Sequence, residues 1–166
     1  MITPAYVQLM AAYNAEMNRR LYAAAGRLDE AARRADRGAF FGSIHATLSH
    51  LVWADRIWMH RFAGWERPPG GIPGSTTLFT DFAAMRQARM ALDADLTAWA
   101  AALAPGWLDG DLVWFSGATG REQRRPKPVV VVHMFNHQTH HRGQVHAMLT
   151  ASGEQTGDTD LPFILG

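Results

Sequence analysis

Imidazoles are concentrated in one stretch of this chain. Residues 136–146 read NHQTHHRGQVH and contain His137, His140, His141 and His146. The run sits between the apolar segments VVVVHMF (129–135) and AML (147–149), so it belongs to the folded body and not to a terminal appendage. On an α-helix, His137 and His141 lie about 40° apart on one face, one turn from each other. His133 lies about 40° to the other side of His137, and His140 about 60° to that same side. Val130, Gln144 and Met148 share the face, whereas His146 points the opposite way. Two imidazoles at i and i+4 can bring ring nitrogens to ~2.0–2.1 Å from one zinc ion.

Two ligands seldom hold a metal, so a third must come from another helix. The segment GSIHATLSHLVWADRIWMHRFAG (42–64) offers three histidines. His50 shares its face with Ala46, Thr47, Trp53, Ala54 and Ile57. His45 turns about 140° from it and His60 about 80°. His50 is therefore selected as the third ligand. The competing reading of His50 is a hydrogen-bonded core residue, and an HxxxH pair alone is a weak motif. Several imidazoles buried without partners would cost about 1–3 kcal/mol each. A shared cation removes that cost and favours the metal reading.

Three neutral imidazoles leave a coordination position open, as in catalytic zinc sites. Such a centre can stabilise a thiolate or activate water. The chain contains no cysteine, so a reacting sulfur would arrive with a small cosubstrate. Metalloprotease chemistry is disfavoured, because the glutamate of HExxH is replaced by Gln138. There is no GxSxG motif and no phosphate-binding glycine loop. Asp55 lies about 140° from His50 and is a poor candidate for a base. A carboxylate from another helix, such as Glu16, is an alternative. Gln144, one turn beyond His141, could orient a ligand, and His140 could support its neighbour. Asn14 and Asn18 could accept from a ring N–H, although solvation is the simpler reading. Arg142 could meet an acidic substrate group or be a solvated edge residue. The six tryptophans read as core or interface, with one or two available for a substrate wall.

The elements that position these residues can be read from periodicity. The chain has 166 residues, of which 48% are hydrophobic. Residues 1–166 are expected to form one domain. A net charge of +1 gives no reason to expect nucleic acid. No apolar run is long enough for a membrane helix, and the N-terminus lacks a signal-peptide pattern, so a cytoplasmic location is expected. Helical patterns run over about 4–28, 41–63, 77–103 and 128–151. In the first, Tyr6, Met10, Tyr13, Met17, Leu21 and Ala24 make the apolar stripe. In the third, Arg89 is the one misfit. The Pro/Gly-rich segment 64–75 reads as a loop crossing the bundle end. Residues 112–123 read as a hairpin, and the apolar tail 159–165 is expected to pack back on the body. The fold class is all-α: a four-helix bundle with a long crossover and a small β hairpin before the last helix.

The block HMFNHQTHHRGQ (133–144) resembles the last-helix signature of the DinB/YfiT-like metal-binding bundles. SIHATLSHLVWADRIWMHR (43–61) is similar to that family's second helix with its single ligand histidine. YNAEMNRRL (13–21) and DLPFIL (160–165) extend the resemblance over nearly the whole chain. It implies a four-helix bundle with a metal triad at His50, His137 and His141, the same three residues. It also implies thiol-dependent chemistry, since some relatives transfer bacillithiol and a more distant group uses mycothiol in maleylpyruvate isomerisation. The expected function is thus a metal-dependent S-transferase taking a low-molecular-weight thiol and an electrophile. The alternative is a metal-binding stress or interaction protein without turnover. Zinc is the first expectation for the metal, with nickel, iron or copper also compatible with imidazoles. The aromatic-rich helices suggest a homodimer.

Overall fold

Four long helices form over the apolar periodic segments, three of them behind a capping side chain. They are α1 (Pro4–Arg27), α3 (Ile44–Ala63), α5 (Phe82–Ala101) and α6 (Lys127–Ala151). Thr3, Ser43 and Asp81 each accept a hydrogen bond from the backbone N–H three residues on, which stops fraying at the first turn of α1, α3 and α5. Pro4 and Pro128 occupy first-turn positions, where a missing N–H costs nothing. Shorter pieces connect these helices, α2 (Glu30–Arg34), α4 (Ile72–Ser75), β1 (Asp111–Ser116) and β2 (Arg121–Pro126), and α7 (Leu161–Ile164) follows the last of them. The computed structural model describes residues 1–164.

The long helices close into a ring, α1 against α5, α5 against α3, α3 against α6, and α6 against α1. Segment 64–81 joins the neighbours α3 and α5. The diagonal steps are α1 to α3, made through α2, and α5 to α6, made through the hairpin. β1 and β2 pair antiparallel from Asp111↔Pro126 to Ser116↔Arg121. This is the all-α bundle with a hairpin before its last long helix.

Several boundaries moved. The second helix begins at Ile44, because Ser43 caps it and residues 39–42 form a tight turn. The third begins at Phe82, where Asp81 supplies the cap. The Pro/Gly segment contains a short turn of helix, α4. The tail returns to α1, where the Tyr13 hydroxyl donates to the Thr159 carbonyl at 2.7 Å. Of the tail's apolar side chains, Leu161 and Ile164 are half-buried and Phe163 is exposed. Leu165 lies outside the described residues.

Two apolar clusters fill the bundle. One centres on Val7, Met59, Leu96, Val131 and Phe135, the other on Leu21, Leu48, Met85, Val145 and Leu149. Between them lies a buried polar belt contributed by all four long helices. Arg89 on α5 donates to Asp55 on α3 and to Asp93 on α5, each at 2.7 Å. Asn18 on α1 donates to Asp93 at 3.0 Å. Arg142 on α6 donates to Asn14 on α1. The apolar stripe expected on α1 is accordingly rotated. Its buried face runs through Val7, Ala11, Asn14, Asn18, Leu21 and Ala25, while Tyr6, Met10 and Tyr13 sit at the edge.

Candidate metal centre

The belt and the histidines occupy the same level of the bundle. His50 projects from the middle of α3, and His137 and His141 from successive turns of α6. These three bring ring nitrogens within 4.8 Å of one another, and they are the group among the described residues that could hold a metal ion. The Nε2 atoms of His50 and His137 are 3.3 Å apart. Two ligands ~2.0–2.1 Å from one tetrahedral ion stand roughly 3.3–3.4 Å apart, so the spacing fits.

Hydrogen bonds set two of the three tautomers. The Ser75 hydroxyl donates to the Ile72 carbonyl at 2.7 Å, so toward His50 it must accept. His50 Nδ1–H therefore donates to Ser75 Oγ, at 2.7 Å. His141 Nδ1–H donates to Gln144 Oε1 at 2.8 Å. The Gln144 amide nitrogen faces His140 Nε2 at 3.3 Å and donates to it when that nitrogen is bare. Both histidines thus turn a bare Nε2 inward, as metal ligands do when a partner holds the other nitrogen. Burial, then the nearby His141, pushes His50 down to about 4. Burial, then the neighbouring imidazoles, pushes His137 down to about 3. His141 is lowered as well, chiefly by burial. At neutral pH the rings are uncharged, and the 3.3 Å between His50 Nε2 and His137 Nε2 suits an N–H···N hydrogen bond or, with both nitrogens bare, a shared cation. The donor set fits a divalent metal.

The surroundings are aromatic. The Phe41 ring lies 4.1 Å from that of His50 and 5.1 Å from that of His141, covering one side of the cluster. Gly42, at φ +75°, makes the turn that puts Phe41 there. On the other side His50 and His137 open into a cavity of about 780 Å³ walled by Trp53, Trp58, Trp114 and Phe115. It lies between α3, the 64–75 segment, the hairpin and α6. The Trp53 indole donates to the Pro69 carbonyl at 3.1 Å and ties that segment to α3.

His45, His60 and His146 have local partners. His45 meets the Phe79 carbonyl at 2.8 Å, His60 the Trp65 carbonyl at 2.7 Å, and His146 the Thr156 hydroxyl at 2.8 Å. His133 is exposed at the cavity. Other sequence candidates fall away from the centre. Asn14 and Asn18 are buried, not solvated, and meet Arg142 and Asp93 instead of a histidine. Arg142 is buried in the same belt. Glu16 is held between Arg19 and Arg20, whose hydrogen bonds pull it down to about 2, so it is not a base for the cluster. Asp55 is committed to Arg89. Gln138 is fully buried and donates to the Leu51 carbonyl at 3.2 Å, holding α6 to α3. Ser75 and Phe41 were not legible as site residues. Ser75 lies in a Pro/Gly-rich stretch with no spacing relation to His50. The FFG preceding the Ser43 cap was the only sign of Phe41.

No curated protein and no solved structure matches the chain. A family model described as the DinB family matches residues 1–165.

Proposed function

The chain belongs to the DinB family, and from that premise and the histidine geometry we propose a metal-dependent S-transferase that uses a low-molecular-weight thiol. The observation that carries this reading is the convergence of His50, His137 and His141, the first two of which line an aromatic-walled cavity. These three are the proposed ligands. Zinc is the first choice for three imidazoles, with nickel or iron as alternatives. A bound cation of this kind supplies Lewis-acid stabilisation of a thiolate.

The protein's own residues do the rest. Ser75 and Gln144 hold the His50 and His141 rings with Nε2 inward. Phe41 keeps water from one side of the cluster. The tryptophan walls receive the carbon body of an electrophile. His133, exposed at the cavity one turn before His137, is placed to accept the thiol proton. The sulfur itself comes with the cosubstrate, because the sequence has no cysteine. One observation favours a second reading, metal binding without turnover: among the described residues no carboxylate lines the cavity.

The test is elemental analysis of untagged protein and of His50→Ala, followed by thiol conjugation to an epoxide or haloarene. The wild type should hold metal and form the thioether, and His50→Ala should hold little metal. Equal metal in both proteins would remove His50 as a ligand. Loaded protein that binds no thiol and forms no thioether would leave the second reading. In a companion experiment, His133→Gln should keep its metal and lose about 10²-fold or more in turnover.

A further inference from the structure

The cavity beside the histidines carries cations that no protein acid neutralises. α3 presents His50, Trp53, Ile57 and Arg61 to it along one stripe. Arg61 lies about 16 Å along the helix axis from His50. Its guanidinium is half-buried, 4.5 Å from the Trp58 ring and 5.5 Å from the Trp114 ring. It makes no ion pair among the described residues. Arg67 lies on the same cavity wall. Partial burial, then the charge of Arg67, pushes Arg61 down to about 10. The other ionisable groups on the wall are imidazoles, with no Asp or Glu among the described lining. Glu66, next to Arg67 in sequence, lines neighbouring clefts with Asp95, one of which Arg67 also borders, but it does not line this cavity.

Elsewhere the fold supplies its buried arginines with partners. Arg89 has two carboxylates and Arg142 has the Asn14 amide. Arg61 has two indole faces, which orient a guanidinium and leave its N–H groups free to bind an anion. A concave, low-dielectric site with two arginines and no acid also concentrates anions from solution.

We propose that this cavity takes an elongated ligand with an apolar or aromatic body and a carboxylate. Arg61 binds the carboxylate, Arg67 adds to the field, and the tryptophans hold the body. The far end of the ligand reaches the histidine cluster. Only that last step rests on the transferase reading. The carboxylate belongs either to the thiol or to the acceptor, and the chemistry of its recognition is the same.

The test is calorimetric titration of the full chain with two probe pairs. One pair is 4-phenylbutyrate and its neutral amide on metal-free protein. The other is 8-mercaptooctanoate and its neutral amide on metal-loaded protein. Wild type, Arg61→Gln and Arg61→Lys are compared, with folding checked by thermal melting. The carboxylate should bind at least about tenfold more tightly than the amide in the wild type. Arg61→Gln should erase that ratio without weakening the amide, Arg61→Lys should restore part of it, and added salt should reduce it. A preference confined to the mercapto pair assigns the carboxylate to the thiol; one confined to the phenyl pair assigns it to the acceptor. Equal binding of acid and amide in both pairs, no binding by either pair, or an undiminished preference in Arg61→Gln would overturn the proposal. Absence of thioether formation with the anion preference intact would remove the transferase reading alone. Thioether formation with no anion preference would remove this one alone.

Discussion

Neutral imidazoles make a metal centre usable at pH 7, and burial keeps these neutral. His50 is pushed down to about 4 and His137 to about 3, from an ordinary value of 6.5. The unfolded chain therefore takes up protons below about pH 6.5 that the folded chain refuses. This contribution to stability is complete above 6.5 and is lost as pH falls toward the folded values. Metal-free protein should thus show a falling urea midpoint from about pH 7 to about pH 5. The slope should flatten when His50 and His137 are both replaced by Asn, and an unchanged slope would contradict the assignment. Bound metal should be released at lower pH, as the descent approaches the folded values of His50 and His137. Ser75 acts through His50, as the acceptor of its Nδ1–H. Ser75→Ala should weaken metal binding roughly 10–100-fold, measured by competition with a chelator, while the fold melts nearly as before.

The long helix that carries His50 depends on short elements to set that ring. α3 carries His50, but α4 brings Ser75 to it, and the turn at residues 39–42 lays Phe41 over it. The helices were legible because three-and-four spacing is a property of the helix itself. The short elements were not, because a four-residue helix has no periodicity to read. Gly42 is the joint of this arrangement. Its φ of +75° is unfavourable for any residue with a Cβ, and an added Cβ would stand 3.4 Å from Asp36 Oδ1. Gly42→Ala should cost about 1–2 kcal/mol in denaturant unfolding. It should also shift the His50 and His141 ring resonances by displacing Phe41.

At the scale of the whole molecule, the polar belt registers the four long helices against one another. Arg89 read as a misfit in the apolar stripe of its helix because a wheel shows one helix at a time. Its two carboxylate partners come from α3 and from its own α5, and Asn18 ties α1 to the same group. Removing the cation would leave Asp55 and Asp93 buried and unpaired. Arg89→Met should therefore lower stability by about 3–5 kcal/mol in denaturant unfolding. Asp55→Asn with Asp93→Asn in the Arg89→Met background should recover much of that loss, since the triple variant buries no charge. A small loss in Arg89→Met alone would show that water reaches the belt.

The helical bundle, the hairpin before the last helix and the choice of His50, His137 and His141 were determined by local pattern. Helix geometry converts i and i+4 into a shared face whatever the surroundings, and a lone imidazole on an apolar face has few places to point. The tertiary structure decided what that information cannot contain: which polar residues are buried, which partner orients each ring, and which charge is left unmatched. Asn14, Arg142 and Glu16 show the difference, since each was placed by neighbours more than a hundred residues away or by its own surface arginines. Burial and pairing arise only when distant segments meet, because the cost of desolvating a polar group is set by everything that surrounds it.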